Sequence, residues 1–190
     1  KAAAVFSSDQ GRPWGEFTVI ADDPSGAILW YDQMPAVLPD GRIYTLIWTH
    51  RYGTSEDLSN HWVVSADRGR TWSEPRLTNL RGQVCTPIAL RDGRVAAIYN
   101  YRHEPQGIHL ALTEDLFIFD VDNEAVVFDA GAEATLGDPP HENFLAEHML
   151  IAFGKPGGVL LPGGDLMTYF WCTSQGVTHT RWSLLRVDGQ

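Results

Sequence analysis

Ser65-Ala66-Asp67-Arg68-Gly69-Arg70-Thr71-Trp72 follows the apolar run His61-Trp62-Val63-Val64, and its reading decides the fold. The Asp67 carboxylate can accept backbone N–H groups within its own turn. Gly69 supplies a positive φ that a side chain resists, and Trp72 can fold back to cover the corner. The turn uses up the carboxylate, so Ser65, Asp67, Gly69 and Trp72 read as a hairpin staple and not as a nucleophile and its partner. The pattern also stands earlier, as Ser7-Ser8-Asp9-Gln10-Gly11-Arg12-Pro13-Trp14 after Ala3-Ala4-Val5-Phe6. There Ser7, Asp9, Gly11 and Trp14 hold the corner positions. Ser7 and Ser65 are 58 residues apart, close to the length of one four-stranded repeat unit.

A second repeat runs in phase with the first. Met34-Pro35-Ala36-Val37-Leu38-Pro39-Asp40-Gly41-Arg42 leads into Ile43-Tyr44-Thr45-Leu46-Ile47-Trp48. Thr86-Pro87-Ile88-Ala89-Leu90-Arg91-Asp92-Gly93-Arg94 leads into Val95-Ala96-Ala97-Ile98-Tyr99, and a looser copy runs from Gly158 to Phe170 through Gly163-Gly164-Asp165. Asp-Gly between apolar runs is a strong local hairpin signal. Together the repeats predict an all-β chain: a partial β-propeller of four-stranded antiparallel blades. One incomplete domain is expected over residues 1–190. It divides into a partial blade at 1–30, blades at 31–82 and 83–129, an inter-blade link at 130–152 and a partial blade at 153–190. The corner of the second whole blade is degraded, with Thr113-Glu114-Asp115 and no glycine after it. Propellers close with about four to eight blades. The chain is therefore expected to be part of a longer protein, and not to fold alone because its end blades lack partners.

Composition narrows the function. Of 190 residues, 44% are hydrophobic and 20% charged, as in an ordinary globular chain. A net charge of −10 argues against nucleic acid, which demands a basic surface. It leaves room for an anionic sugar, since a few arginines can make a local positive pocket. Seven tryptophans serve core packing and offer flat platforms for sugar rings. Cys85 and Cys172 fit neither a disulfide framework nor a metal motif, and read as reduced thiols. No metal and no cofactor is expected. No apolar run approaches the roughly 18 residues of a membrane span. The sequence opens on Lys1 without a signal peptide, so a secreted or periplasmic location stays open. Oligomeric state is not legible.

The corners resemble the Asp-boxes of sialidases (neuraminidases) and of the wider group of BNR-repeat propellers. Further segments look like bacterial sialidase-like proteins: Asp32-Gln33-Met34-Pro35, Trp48-Thr49-His50, Gly82-Gln83 with Pro87, Tyr99-Asn100-Tyr101-Arg102-His103 before Gly107-Ile108, and Phe153-Gly154-Lys155-Pro156. The resemblance covers most of the chain. It implies a six-bladed propeller in the complete fold and an exo-acting glycosidase. Three arginines would grip the substrate carboxylate, a Tyr activated by a Glu would act as nucleophile, and an Asp would act as acid/base. A full set is not matched here.

Blade topology sorts the candidates. Asp40-Gly41, Asp92-Gly93 and both Asp-boxes share one face, and the resemblance makes the opposite face the substrate face. That face carries Tyr31, Asp32, Gln33, His50, Arg51, Tyr52, Glu56, Asp57, Arg81, Gln83, Arg102, His103 and Glu104, with His141, Glu142, Glu147 and His148 on the link. Arg51, Arg81 and Arg102 are the substrate-binding candidates, because a guanidinium fork takes a carboxylate in bidentate fashion. Arg51 and Arg102 are read as corresponding positions of successive blades. A surface salt bridge to Glu56 or Glu104 is the competing reading. Asp32, Tyr52, His103 and Glu104 are the catalytic candidates. Against them stand a loop cap at Asp32, packing at Tyr52, and divergent side chains for the adjacent His103 and Glu104. The spacing of His141-Glu142 and Glu147-His148 is not a metal-binding pattern. The expected function is sialidase-superfamily glycoside hydrolysis of an acidic terminal sugar. The alternatives are a non-catalytic carbohydrate-binding propeller, or a propeller polysaccharide lyase with a Tyr or His base.

Overall fold

The structure is a computed structural model and describes residues 1–133 and 152–188. It is an all-β chain of antiparallel sheets. The first sheet pairs β1 (Ala2–Val5) with β2 (Phe17–Ala21). The second holds β3 (Ile28–Val37), β4 (Ile43–Arg51), β5 (His61–Ser65) and β6 (Arg76–Leu77) in chain order. The third holds β7 (Gln83–Ala89), β8 (Val95–Tyr101), β9 (Gly107–Thr113) and β10 (Ala125–Asp129), again in order. After one helical turn, α1 (Ala130–Glu133), the fourth sheet comprises β11 (Phe153–Leu160), β12 (Leu166–Ser174) and β13 (Val177–Leu185). The expected boundary between residues 30 and 31 falls inside β3, because the Asp23 carboxylate caps the Ile28 amide at 2.8 Å and starts the strand there. Of the 130–152 link, residues 134–151 lie outside the described residues, and His141, Glu142, Glu147 and His148 with them. Among the described residues, no helix is long and apolar enough to cross a membrane.

The hairpin between the first and second strand recurs three times with one geometry. Leu38, Leu90 and Leu161 each donate their amide to the carbonyl of the residue four on, at 2.8, 2.9 and 2.8 Å. Gly41, Gly93 and Gly164 take the positive φ that the turn requires. This alignment makes the three leucines a common origin for comparing sheets.

The corners between third and fourth strands are stapled as their sequence predicts. Ser65 Oγ accepts the Gly69 amide at 2.8 Å, and Asp67 accepts the Thr71 amide at 2.8 Å and its hydroxyl at 2.7 Å. The Thr71 amide, and then its hydroxyl, hold the Asp67 carboxyl down at about 2. Trp72 folds back to donate its indole N–H to the Gly69 carbonyl at 3.0 Å. At the first corner, Ser7 Oγ accepts the Gly11 amide at 2.7 Å and Asp9 accepts the Arg12 amide at 3.1 Å. The degraded corner keeps the same logic without glycine. Thr113 donates to Asp115 and Asp115 accepts the Phe117 and Ile118 amides; Leu116 takes a positive φ, as Gln10 and Arg68 do at the equivalent position, and Phe117 stands where the other corners have glycine.

The sheets stack in chain order through three apolar clusters. Ala2, Ile20 and Ala21 meet Ile47 and Val63 between the first and second sheets. Leu38, Tyr44 and Leu46 meet Cys85, Val95, Ala97 and Tyr99 between the second and third. Ile88, Ile98, Ile108 and Phe128 meet Phe153, Leu166, Phe170 and Cys172 between the third and fourth. Both cysteines are buried, and neither forms a disulfide.

Candidate functional site

The first strands β3, β7 and β11 lie side by side, one from each larger sheet. Each breaks register with the second strand of its own sheet, one residue farther from the turn in β3 than in β7 and β11. The break falls between Trp30 and Gln33 in β3, between Gln83 and Thr86 in β7, and between Gly154 and Gly157 in β11. A bulge of this kind re-aims side chains and is common beside functional sites. Asp32, Val84 and Lys155 each lie six residues before their turn leucine, so they occupy one equivalent position. Val84 and Lys155 are held at φ 52° and 48°. A β-branched residue in that region is strained, and such strain persists only where the surroundings enforce it. The Lys155 ammonium meets the Asp32 carboxylate at 2.5 Å, joining the fourth sheet to the second across the third. Asp32 is thus an ion-pair partner and not a free carboxylate.

The ends of the second strands supply the rest of the site. Counted from Leu38 and Leu90, the residue equivalent to Arg102 is His50. The expected correspondence of Arg51 with Arg102 is therefore one residue out of step. The consequence is large, because alternate residues of a strand face opposite ways. Arg51 turns outward into an ion pair with Glu56 at 2.5 Å, the competing surface reading. Arg81 is exposed, and among the described residues no side-chain hydrogen bond or ion pair holds it. The expected arginine triad is not assembled: only Arg102 enters the site.

Asp57 is the hub. One of its oxygens accepts the Trp48 indole N–H and a His50 ring nitrogen, each at 3.0 Å, and the other accepts the Gln83 amide N–H at 2.7 Å. Gln83 then offers its own amide oxygen to an Arg102 N–H. The second His50 nitrogen lies 2.6 Å from the Thr54 carbonyl. Burial opposes the charged form of His50, but the Asp57 hydrogen bond, the Thr54 carbonyl and the Asp57 and Glu56 charges outweigh it, and its pKa is raised. Arg102 is in the opposite position. Burial lowers its pKa to about 10, against the more distant charges of Asp57 and Asp32. Its Nε is buried without a partner. Two residues before it, on β8, Asn100 is fully buried with both amide atoms unpartnered. Buried polar groups are normally satisfied, so this cluster retains unused donors and an unused acceptor. At its rim, Tyr31 stacks on Trp48 with ring centroids 4.5 Å apart.

The other catalytic candidates do not join it. Tyr52 is 67% exposed, and its backbone amide bonds the Ala27 carbonyl at 2.8 Å. His103 packs edge-on to Tyr101, with centroids 5.3 Å apart. Glu104 is exposed and precedes a cis proline bond. Among the described residues, no hydrogen bond or ion pair links Tyr52, His103 and Glu104 to one another or to Arg102.

A tyrosine–carboxylate pair does exist elsewhere. Tyr99 donates to Glu124, whose other oxygen takes a His109 ring nitrogen at 2.6 Å. Burial, and then the Glu124 bond, push the Tyr99 pKa up. At 2% exposure, with its ring filling the space a Cβ at Gly82 would need, Tyr99 is part of the packing. A groove of about 460 Å3 lies at the turn end, lined by Asp40, Arg42, Gly93 and Asp115. It contains none of the site residues. Among the described residues, no cluster of His, Cys, Asp and Glu could hold a metal ion.

Sequence reasoning named Asp57 and Gln83 only as residues of this face, and it missed Asn100 and Lys155. The signal for Lys155 was available: aligning the three turns places it with Asp32.

No family model and no curated protein matches the chain. Solved structures do. A protein of unknown function from Dyadobacter fermentans superposes with a TM-score of 0.71 at 20% identity, over 96% of this chain and 44% of that one. A glycosyl hydrolase from Bacteroides ovatus gives a TM-score of 0.44 at 10% identity, over 85% of this chain and 50% of that one. The first likeness extends the fold to a second protein. The chain spans half or less of the length of either.

Proposed function

We propose that this chain is part of a sialidase-like propeller, and that its site takes the carboxylate of an acidic terminal sugar in a glycoside hydrolase. The observation that carries the reading is Arg102: a mostly buried cation whose neutral partner Gln83 leaves it without a carboxylate of its own. A buried cation without an anion is costly, and a bound carboxylate removes that cost. Three further features support the reading. Bulged first strands meet side by side, Tyr31 on Trp48 offers an aromatic platform for a sugar ring, and stapled corners close the opposite ends of the sheets.

Binding without hydrolysis is the second reading. It is favoured by the burial of Tyr99, which removes the Tyr–Glu pair among the described residues from contact with substrate. The protein is tested with a fluorogenic sialoside and, by calorimetry, with free acidic and neutral monosaccharides. Turnover that Arg102→Leu abolishes supports the hydrolase. Acid-selective binding without turnover, weakened about 10- to 100-fold by Arg102→Leu, supports the second reading. Equal affinity for acidic and neutral sugars would overturn both.

A further inference from the structure

We infer that Asp57 is a positioning residue for Arg102, acting through Gln83. The inference rests on the reading of Arg102 as an anion-binding group and adds what sets its geometry. A glutamine amide has two ends of opposite character, and its orientation decides whether it helps or opposes a neighbouring cation. Asp57 accepts only, so the Gln83 N–H end must face it, at 2.7 Å. The amide oxygen is thereby turned toward Arg102, which donates to it. Were the amide reversed, its N–H2 would stand against the guanidinium and an oxygen against the carboxylate. Both contacts would be repulsive.

Asp57 is itself fixed from the far side by Trp48 and His50, each at 3.0 Å. The chain of contacts thus runs from the second sheet through the first strand of the third to the guanidinium. The intervening amide has a second effect. A carboxylate directly against Arg102 would neutralise it and compete with a ligand. A neutral carbonyl orients the cation and leaves its charge available, and it leaves Nε free of any protein partner. Asp57 therefore governs the direction of the fork without satisfying its charge.

The test compares Gln83→Leu, Gln83→Glu, Asp57→Ala and Asp57→Asn in the protein with two readouts. The first is the Arg102 side-chain N–H signal in the free protein, followed by NMR. The second is affinity for N-acetylneuraminate and glucuronate. The Arg102 signal is expected to be sharp and slowly exchanging in the parent and in Asp57→Asn, which can still accept from Gln83. It is expected to broaden in Gln83→Leu and Asp57→Ala, with affinity falling at least about tenfold. Gln83→Glu puts a carboxylate against Arg102. It should suppress binding near neutral pH and recover it as the pH falls and that carboxyl is protonated. An Arg102 signal equally ordered in all variants would overturn the inference. So would affinities unchanged in Gln83→Leu and Asp57→Ala while Arg102→Leu abolishes binding. The latter outcome leaves the reading of Arg102 intact. A relay seen by NMR in a protein that binds no acidic sugar would sink that reading and keep the inference.

Discussion

His50 and His61 stand eleven positions apart and are pulled in opposite directions by their surroundings. His50 gains more from Asp57 and Thr54 than burial takes away, so its pKa lies above the ordinary 6.5. His61 is buried edge-on to Trp30, its ring nitrogen 2.9 Å from the Thr49 hydroxyl, and burial lowers its pKa below 6.5. A raised histidine pKa stabilises the fold fully below the unfolded value. That contribution disappears as the pH rises through the folded value. NMR titration should find the His50 midpoint above 6.5 and the His61 midpoint below it. The protection factors of the amides from Arg51 to Asn60, corrected for intrinsic base-catalysed exchange, should fall as the pH rises through the His50 midpoint, and His50→Gln should remove that fall. A His50 midpoint at or below 6.5 would count against the hub. Single residues were legible in the sequence where their partners are local. Asp67 finds its donors within four residues, so its role could be read directly. Asp57 draws on Gln83, 26 residues away, and no local spacing announces that.

At the scale of the element, the short connection into β7 carries a close approach. A Cβ built on Gly82 would stand 2.4 Å from a Tyr99 ring carbon and 3.1 Å from the Asn100 carbonyl. The Tyr99 ring has no room to yield, being buried and bonded to Glu124. Gly82→Ala should therefore cost about 1–3 kcal/mol, measured by denaturant unfolding. Measured against Tyr99→Leu, the same Gly82→Ala change should cost less than it does in the parent; an equal cost in both backgrounds would show that the ring is not the obstacle. The strands and turns themselves were legible, because apolar runs and Asp-Gly pairs are local signals. The bulges were not. A register break depends on which residue of one strand faces which of the next. The choice of Arg51 over His50 was a separate slip: counting from the two turn leucines pairs His50 with Arg102 in the sequence itself.

At the scale of the whole molecule, the outermost sheets are each covered on one side only among the described residues. Val63, two residues before Ser65, is fully buried between sheets, whereas Val5, two residues before Ser7, is 55% exposed. Leu46 and Ile98, eight residues after their turn leucines, are fully buried; their equivalent Tyr169 is 46% exposed beside Trp182 at 66%. Faces that bury a neighbouring sheet elsewhere are open to water at both ends of the stack. An apolar patch of this kind drives association. The isolated 190-residue chain should self-associate at micromolar concentration in light scattering, and Val5→Lys combined with Trp182→Lys should reduce it. A monomer with a sharp cooperative melt would contradict this. Stacked antiparallel sheets follow from the repeat in the sequence. A closed ring would need coverage of these two faces and belongs to the proposed reading.

The corner at Thr113 keeps its aspartate staple although Phe117 stands where the other two corners carry a positive-φ glycine. Evolutionary drift can therefore erase the glycine and the tryptophan of such a unit and leave its architecture standing. Any search for distant kin keyed to those two letters will undercount. A hydroxyl residue with an aspartate two places later, at the end of an apolar run, is the more durable signature.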